Sequence, residues 1–428
     1  MLPLRTRVAI IGGGPAGLST AMFLKERGFA EVTVLEKEPS VGGKCRSFEH
    51  DGHVYDIGAN LTTPRYRTIR PLGERLGMTL RRIEDRRIVN VGPEEFPSLQ
   101  DANLAQRLVV RGGASLYTRM RHLTGIDRQG YAGLRDGVEQ PFEDWLRKHG
   151  LGRFRELFEV LFVAYGYGQM LELPAAYALK FFDPVHMEAA VDVVLGKEIP
   201  DTKDFAEGFQ ELWRRVDQEF GIHARCDVTV HEVHRSPRGV EIAWTDAEGD
   251  HTERFDKLVV ACPLDEALTF LDASEDEERL FSQIRYNDYF VTVARLTGAP
   301  DISTYVYPYA RQFTPGQPTV YYPPVHGDEG LFTYYAYGGP GIDEETVRSN
   351  ILTAMARSEL AGEVAEFLHT QHWRYFPHVP SDVMRGGWYE DVEGMQGRFH
   401  TFYVGEVLSF TLVELVANYA RDLVSRHF

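Results

Sequence analysis

Cysteine is scarce in this 428-residue chain: Cys45, Cys226 and Cys262 are odd in number and scattered. That argues against a disulfide framework or a zinc site, and the three read as small buried residues. Positive charge is in deficit as well. With 46 Lys and Arg against 63 Asp and Glu, the formal net charge of -17 argues against nucleic acid as a partner and against electrostatic adsorption to an anionic membrane. No apolar run approaches the length that spans a bilayer. Met1-Leu2-Pro3-Leu4-Arg5 leads straight into a strand pattern, leaving no room for a cleavable signal peptide, so the cytoplasm is the expected location. Internal repeats and low-complexity linkers are absent, and no lysine follows Lys257. What remains, 43% hydrophobic and 25% charged residues, is the composition of a globular enzyme. The chain is too long for one ordinary core, which points to two interleaved domains.

The most informative stretch is at the start. Val8 to Gly17 reads V-A-I-I-G-G-G-P-A-G, and Glu36 closes the apolar run Val32-Thr33-Val34-Leu35. This is a dinucleotide-binding unit: Gly12 allows the tight turn after the first strand, Gly14 lets backbone approach a pyrophosphate, and Gly17 permits close helix packing. The helix expected over Leu18 to Arg27 points its N–H groups and positive dipole end at phosphates. Glu36 falls where a carboxylate accepts from ribose hydroxyls, favouring an unphosphorylated adenosine ribose.

Beyond this unit, helical periods run through Phe142 to Leu146 and Phe154 to Val163, inside an insertion of roughly Gln100 to Pro200. Strand patterns follow at Asp227 to Val230, Val240 to Trp244 and Phe255 to Pro263. A second excursion, about Phe290 to Trp373, alternates strands and turns and carries Tyr305, Tyr307, Tyr309, Tyr321, Tyr322, Tyr334, Tyr335 and Tyr337. It reads as a sheet on which substrate lies. Near the end, Thr401 to Glu406 reads as a strand closing in Gly405-Glu406, and Leu412 to Arg426 has helix spacing.

A lone glycine fingerprint is weak, but here it is extended. Lys37-Glu38-Pro39-Ser40-Val41-Gly42-Gly43-Lys44-Cys45-Arg46-Ser47 follows Glu36, and Tyr55-Asp56-Ile57-Gly58-Ala59 comes next. The order strand, GxGxxG, helix, strand with Glu, then G-G-x-x-R resembles the FAD signature of the amine oxidase and phytoene desaturase superfamily. A Rossmann unit holding NAD is the alternative, yet nicotinamide enzymes do not need the Gly-Gly-x-x-Arg loop. The resemblance implies an α/β fold: a Rossmann-type FAD domain (1–95, 201–289 and 380–428) interleaved with an α+β substrate domain (96–200 and 290–379). It implies that FAD, held without a covalent tether, contacts Gly12, Gly14, Pro15, Ala16, Gly17, Glu36, Lys37, Gly42, Gly43, Lys44, Arg46, Gly58, Ala59, Asn60, Val228, Cys262, Gly405 and Glu406. Val228 would meet the adenine, Glu406 the ribityl chain, and the last helix would aim its N-terminus at the flavin ring.

The likeness narrows further. Ala164-Tyr165-Gly166-Tyr167-Gly168, Leu173 to Lys180, Tyr375-Phe376-Pro377-His378-Val379, Gly387 to Glu390 and Val392 to Arg398 resemble the FAD-dependent polyenoic fatty acid isomerases. That family implies removal of a hydride from the doubly allylic carbon of a skipped diene and its return to an end carbon, giving a conjugated product without net oxidation. The implied ligand is a hydrophobic, polyunsaturated carboxylic acid. Tyr165 and Tyr167 become candidates for stabilising a cation through their ring faces. Arg87 is the candidate for pairing with the substrate carboxylate; beside Arg86, Glu84 and Asp85 it equally reads as part of a solvated charge cluster. His378 is a candidate acid or base, although a histidine beside proline and aromatics is more often a packed, hydrogen-bonded core residue. Many amine oxidases place a lysine beside the flavin from their second half, and Tyr286 to Thr292 offers none. The family also implies an aromatic lid after Asp183, where this chain has Pro184-Val185-His186-Met187-Glu188-Ala189-Ala190. A flavin oxidase or desaturase acting on an amine or polyene, and a non-catalytic flavoprotein binding a hydrophobic ligand, are the rival readings.

Overall fold

In the computed structural model, β1 (Val8–Ile11) is buried along its whole length and lies at the middle of a parallel sheet. The strand Lys257–Val260 pairs with it on one side and β2 (Val32–Leu35) on the other, and Thr401–Tyr403 extends the sheet beyond Lys257–Val260. Near-continuous apolar runs are what a parallel sheet covered on both faces requires. The structure describes residues 2–83, 86–90, 103–135, 137–195, 201–299, 303–307, 309, 313–323, 330–357 and 362–428; within them the side chains of 86–90, 193–194, 303–305 and 307 are not described.

The helix α1 (Pro15–Glu26) packs on this sheet and against the C-terminal helix Val413–His427. It starts earlier than its apolar spacing suggested because Pro15 occupies the first helical turn, where a missing N–H costs nothing. With β2 and Lys257–Val260 leaving β1 in opposite directions, a crevice opens at the carboxyl ends of the strands, where open α/β sheets bind ligands.

A second sheet has six strands in the order Glu363–His378, Arg285–Thr297, Leu331–Tyr337, Pro318–Tyr322, Ser303–Tyr307 and Arg86–Asn90. Its pairings are antiparallel except the last, which is parallel and puts Arg86–Asn90 at the edge. Two-residue periodicity sorts its tyrosines onto opposite faces. Tyr289, Val291, Val320, Tyr322 and Tyr335 share a cluster with Val160 and Val163 of the helix Arg155–Ala164; Phe290, Tyr321 and Tyr334 cluster with Val347 and Ile351 of the helix Glu344–Arg357. Helices Leu104–Leu123, Phe142–Lys148, Ala175–Phe181 and Pro184–Val194 complete the insertion. The strands Thr229–Ser236, Gly239–Asp246 and Gly249–Phe255 form a separate antiparallel meander. The α/β class with interleaved parallel and antiparallel sheets agrees with the sequence expectation. The strand Arg285–Thr297 runs continuously across 289/290, and Arg86–Asn90 joins the second sheet. No helix among the described residues is long and apolar enough to cross a membrane.

Candidate active site

Between the two sheets lies an elongated cavity of about 790 Å³. One half is built from backbone. Gly12 turns out of β1 at φ 113°, its N–H bonded to Leu35 O at 2.8 Å, and a Cβ there would come within 2.9 Å of Ala261 and Cys262 backbone. Gly17 does not reach the cavity but fixes its shape: a Cβ would sit 1.9 Å from Gly12 O. The glycine loop and α1 therefore touch with no side chain between them. Gly42 N donates to Gly13 O at 3.0 Å, laying the second glycine turn over the first, and Gly58 packs so tightly that a Cβ would meet Lys44 O at 1.9 Å.

Glu36 does more than wait for a ribose. Its buried carboxylate accepts from Gly13 N at 2.5 Å and from Glu38 N at 2.8 Å while still facing the cavity, and Val228 N donates to Glu36 O at 2.9 Å. One side chain thus ties the glycine turn, the end of β2 and the segment preceding Thr229–Ser236. Asp227, at φ 55°, makes the corner that brings Val228 to this position, so the strand begins at Thr229.

At the C-terminal end, Gly405 turns at φ 148° with open space where a Cβ would be, and Glu406 binds Lys44 Nζ at 2.7 Å. Lys44 Nζ also lies 5.9 Å from the centre of the Tyr375 ring. The C-terminal helix offers Thr411, Leu412 and Val413 to the cavity from an N-terminus with no side-chain cap, because its N-cap residue Leu412 has no acceptor to give; Glu414 in its first turn accepts from Thr68 N and Ile69 N. Cys262 lines the same half, and burial followed by nearby Glu266 pushes its thiol up to about 12, so it stays protonated at neutral pH.

The other half is aromatic and aliphatic. Tyr167 and Tyr375 lie 6.1 Å apart with rings near parallel, Tyr375 stacks on Tyr289 at 5.2 Å, and Tyr335 follows Tyr289 at 5.9 Å. Tyr165 contacts Phe181 at 5.6 Å, and Phe181 stacks on His186 at 5.1 Å. Val291, Val320, Tyr322, Phe182, Val185, Ala189 and Ala190 close the wall. Burial raises the phenols of Tyr167, Tyr289, Tyr335 and Tyr375 well beyond their ordinary range, so they remain neutral.

Of the residues expected to hold the cofactor, Gly12, Gly14, Pro15, Ala16, Glu36, Lys37, Gly43, Lys44, Arg46, Gly58, Ala59, Asn60, Val228, Cys262, Gly405 and Glu406 line one continuous cavity. Gly17 and Gly42 lie behind its wall. Tyr165 and Tyr167 face it from the other half. His378 does not line it. Tyr375 and Pro377, two residues apart, both reach the wall, while Phe376, at φ 51°, and His378 do not, and His378 Nδ1–H donates to Phe376 O at 2.8 Å. Burial lowers the His378 pKa, as fits an imidazole packed against Phe376 and Tyr177. The Arg87 backbone pairs with Thr304 at the sheet edge; its side chain lies outside the described residues. Sequence reasoning did not single out Tyr289, Phe181 or His186 for the site, and it named Lys44 and Glu406 without foreseeing that they pair with each other. Only the departure after Asp183 signalled one of them.

The residues present fit a dinucleotide. The first turn of α1 carries no acidic residue and no side-chain cap, a Cβ on Gly14 would meet nothing nearer than 3.7 Å, and the space at Gly405 is open. Exposed N–H groups at a helix start, bare backbone and a carboxylate at the end of β2 form a cradle for pyrophosphate and ribose. Residues 15–357 match the family of flavin containing amine oxidoreductases, and the chain belongs to that family. The crystal structure of the CLA-producing fatty acid isomerase from P. acnes superposes with a TM-score of 0.90 over 100% of both chains at 32% identity. Cyclohexylamine oxidase from Brevibacterium oxydans IH-35A shares the fold, with a TM-score of 0.73, 15% identity and 99% of each chain covered. Beta-cyclopiazonate dehydrogenase of Aspergillus oryzae is 25% identical over 98% of this chain and 92% of its own. The chain is thus a member of a flavin enzyme family whose architecture is that of the fatty acid isomerase.

Proposed function

We propose that the protein is an FAD-dependent double-bond isomerase that converts a skipped polyunsaturated carboxylic acid into its conjugated isomer. The observation that carries this reading is the wall of Tyr165, Tyr167, Tyr289, Tyr335, Tyr375 and Phe181, continuous with the glycine-lined half. The full-length likeness to a fatty acid isomerase supports it. Non-covalent FAD would be held by the glycine turns, Glu36 and Glu406; when bound it supplies a ring that accepts a hydride and can return it. The chain's own residues do the rest. Apolar side chains extend a hydrocarbon and exclude water, which would otherwise trap a carbocation. Neutral tyrosine faces stabilise positive charge on the substrate without taking a proton from it. Arg87, from the family resemblance alone, is a candidate partner for the carboxylate.

The second reading is net oxidation, favoured by the full-length similarity to beta-cyclopiazonate dehydrogenase. One experiment separates the two. Linoleic acid deuterated at its doubly allylic carbon is incubated anaerobically with purified holoprotein. The isomerase reading expects multiple turnovers to a conjugated diene with the label retained on a new carbon. Loss of the label to solvent, or turnover only with oxygen or another acceptor, overturns it.

A further inference from the structure

The aromatic half of the cavity has a polar corner that the reaction does not use. His186, in the helix Pro184–Val194, lines the cavity with only 12% of its side chain exposed. Phe181 stacks on one face. Its Nδ1–H donates to Asp183 Oδ1 at 3.0 Å, and its backbone N–H donates to the same oxygen at 2.9 Å. Asp183 is in turn held by Arg65 Nε at 3.1 Å, and Arg65 is fixed by donating to Lys180 O and Phe181 O at 2.9 and 3.3 Å. Burial alone would raise the Asp183 carboxyl, but the His186 hydrogen bonds and the Arg65 charge overcome it and hold the group at about 2. Asp183 is therefore an anion at neutral pH, with its imidazole and guanidinium partners fixed around it.

This arrangement sets the ring's orientation. With Nδ1–H given to Asp183, Nε2 is the remaining polar atom, and its nearest partner, Thr63 Oγ1, stands 3.4 Å away, a long contact that leaves room for a better partner. Around it the wall is apolar: Phe181, Phe182, Val185 and Ala189. The corner is separated from Tyr375 by three successive ring contacts of 6.1, 5.0 and 5.1 Å, through Tyr167 and Phe181. An extended aliphatic chain spans such a path.

We propose that the Thr63–His186 corner is a carboxylate-binding subsite, in which His186 Nε2, positioned by Asp183 and Arg65, pairs with the acid group of a long-chain substrate, the acid's own proton lying between nitrogen and oxygen. The inference rests on the isomerase reading for the substrate's class and places the polar end at this corner in place of Arg87, the partner that the family resemblance alone implies. A charge-assisted N–H···O bond in this apolar setting fixes the register of the chain along the cavity, so the same group that gives affinity also selects which double bond reaches the reacting position.

The test measures binding of oleic acid and methyl oleate to FAD-loaded protein by equilibrium dialysis. Oleic acid has one double bond and no doubly allylic carbon, so the result does not depend on turnover. In the parent, the acid is expected to bind about tenfold more tightly than the ester or better, as a charge-assisted pair provides. H186A should remove that difference by weakening the acid and sparing the ester, with FAD content unchanged. H186Q, which keeps a donor without charge, should fall between. If H186A changes acid and ester equally or neither, if R87A removes the difference while H186A does not, or if the parent does not prefer the acid, the subsite is refuted. An acid preference lost in H186A alongside absent isomerisation of linoleic acid would instead sustain the subsite and defeat the isomerase reading.

Discussion

Replacing Glu36 by alanine is the sharpest test of the glycine-lined half, because one carboxylate there closes two backbone hydrogen bonds. Glu36 Oε2 accepts from Gly13 N at 2.5 Å and Oε1 from Glu38 N at 2.8 Å, and the residue is buried. In E36A both N–H groups lose their acceptor, and each unmet buried donor costs about 1–3 kcal/mol. Water entering the vacated space recovers part of that, and Glu38 is the more exposed of the two, so about 1–3 kcal/mol is the net expectation for the turn. If the proposed FAD ribose also hydrogen-bonds this carboxylate, the loss appears in binding: at about 1.4 kcal/mol per tenfold, FAD should dissociate ten- to a hundredfold more readily. The assay is titration of apoprotein with FAD, followed by quenching of flavin fluorescence, with thermal unfolding of the apoprotein measured in parallel. E36Q separates the roles, since its amide oxygen still accepts one N–H while the charge is gone. A folded E36A that binds FAD within twofold of the parent would refute the assignment of Glu36 to the cofactor site. Loss of apoprotein stability with unchanged FAD affinity would make it a brace for the turn alone.

Three further outcomes follow from the same coordinates. G17A should abolish FAD binding, because a Cβ placed 1.9 Å from Gly12 O forces α1 away from the loop; near-parental FAD affinity on titration would show that the turn tolerates the shift. K180M should lower stability in urea by about 3 kcal/mol or more, since Lys180 Nζ donates to the Ile126, Arg128 and Gly130 carbonyls and methionine has no donor to give them, and a loss under about 1 kcal/mol would refute this. Asp56 governs a pH effect: burial raises its carboxyl from 3.8 to about 7 against the hydrogen bonds from Ser47 and Phe209, so the folded state binds this proton more tightly than the unfolded one. Its contribution is therefore full below about pH 4 and is lost as pH rises toward 7, and D56N should flatten that decline in denaturant midpoints by about a few kcal/mol relative to the parent; equal slopes would refute it.

The glycine-lined half was legible because its chemistry is local. Gly12, Gly14, Gly17 and Glu36 sit within one β–α–β unit: Gly12 and Gly17 answer to backbone geometry that only glycine meets, Gly14 leaves open space above the helix start, and Glu36 supplies a carboxylate at the end of β2. The parallel strand Lys257–Val260 and the C-terminal helix were equally readable, as an uninterrupted apolar run and a regular helical period. The aromatic half was not, since its wall is assembled from separate segments spread between Tyr165 and Tyr375. Tyr167, in the loop after the helix Arg155–Ala164, meets Tyr375 of the strand Glu363–His378, and nothing in either segment's spacing announces the partner. Strand alternation explains why Tyr322 and Tyr335 face the cavity while Tyr321 and Tyr334 pack behind the sheet, but which face looks inward is fixed only by the helix Arg155–Ala164 lying on it. His378 shows the reverse problem. The residue type suggested an acid or base and its proline and aromatic neighbours a packed core residue; the structure has the imidazole behind the wall, bonded to the Phe376 carbonyl.

A scaffold shared by an amine oxidase at 15% identity and a fatty acid isomerase at 32% does not by itself choose the reaction. The choice lies in what faces the reacting carbon. Oxidising an amine requires a nitrogen lone pair freed of its proton, and a wall serving that chemistry benefits from a base or a positioned water. Moving a hydride within a hydrocarbon requires neither, because the hydrogen leaves and returns with its electron pair and no proton is released. The phenols of Tyr167, Tyr289, Tyr335 and Tyr375 are held neutral by burial, Lys44 is paired with Glu406, and His186 is bound to Asp183 at the far corner. Such a wall offers π faces to a cation and, among these groups, little that would take a proton from it, which is the balance a redox-neutral isomerisation demands and an amine oxidation does not.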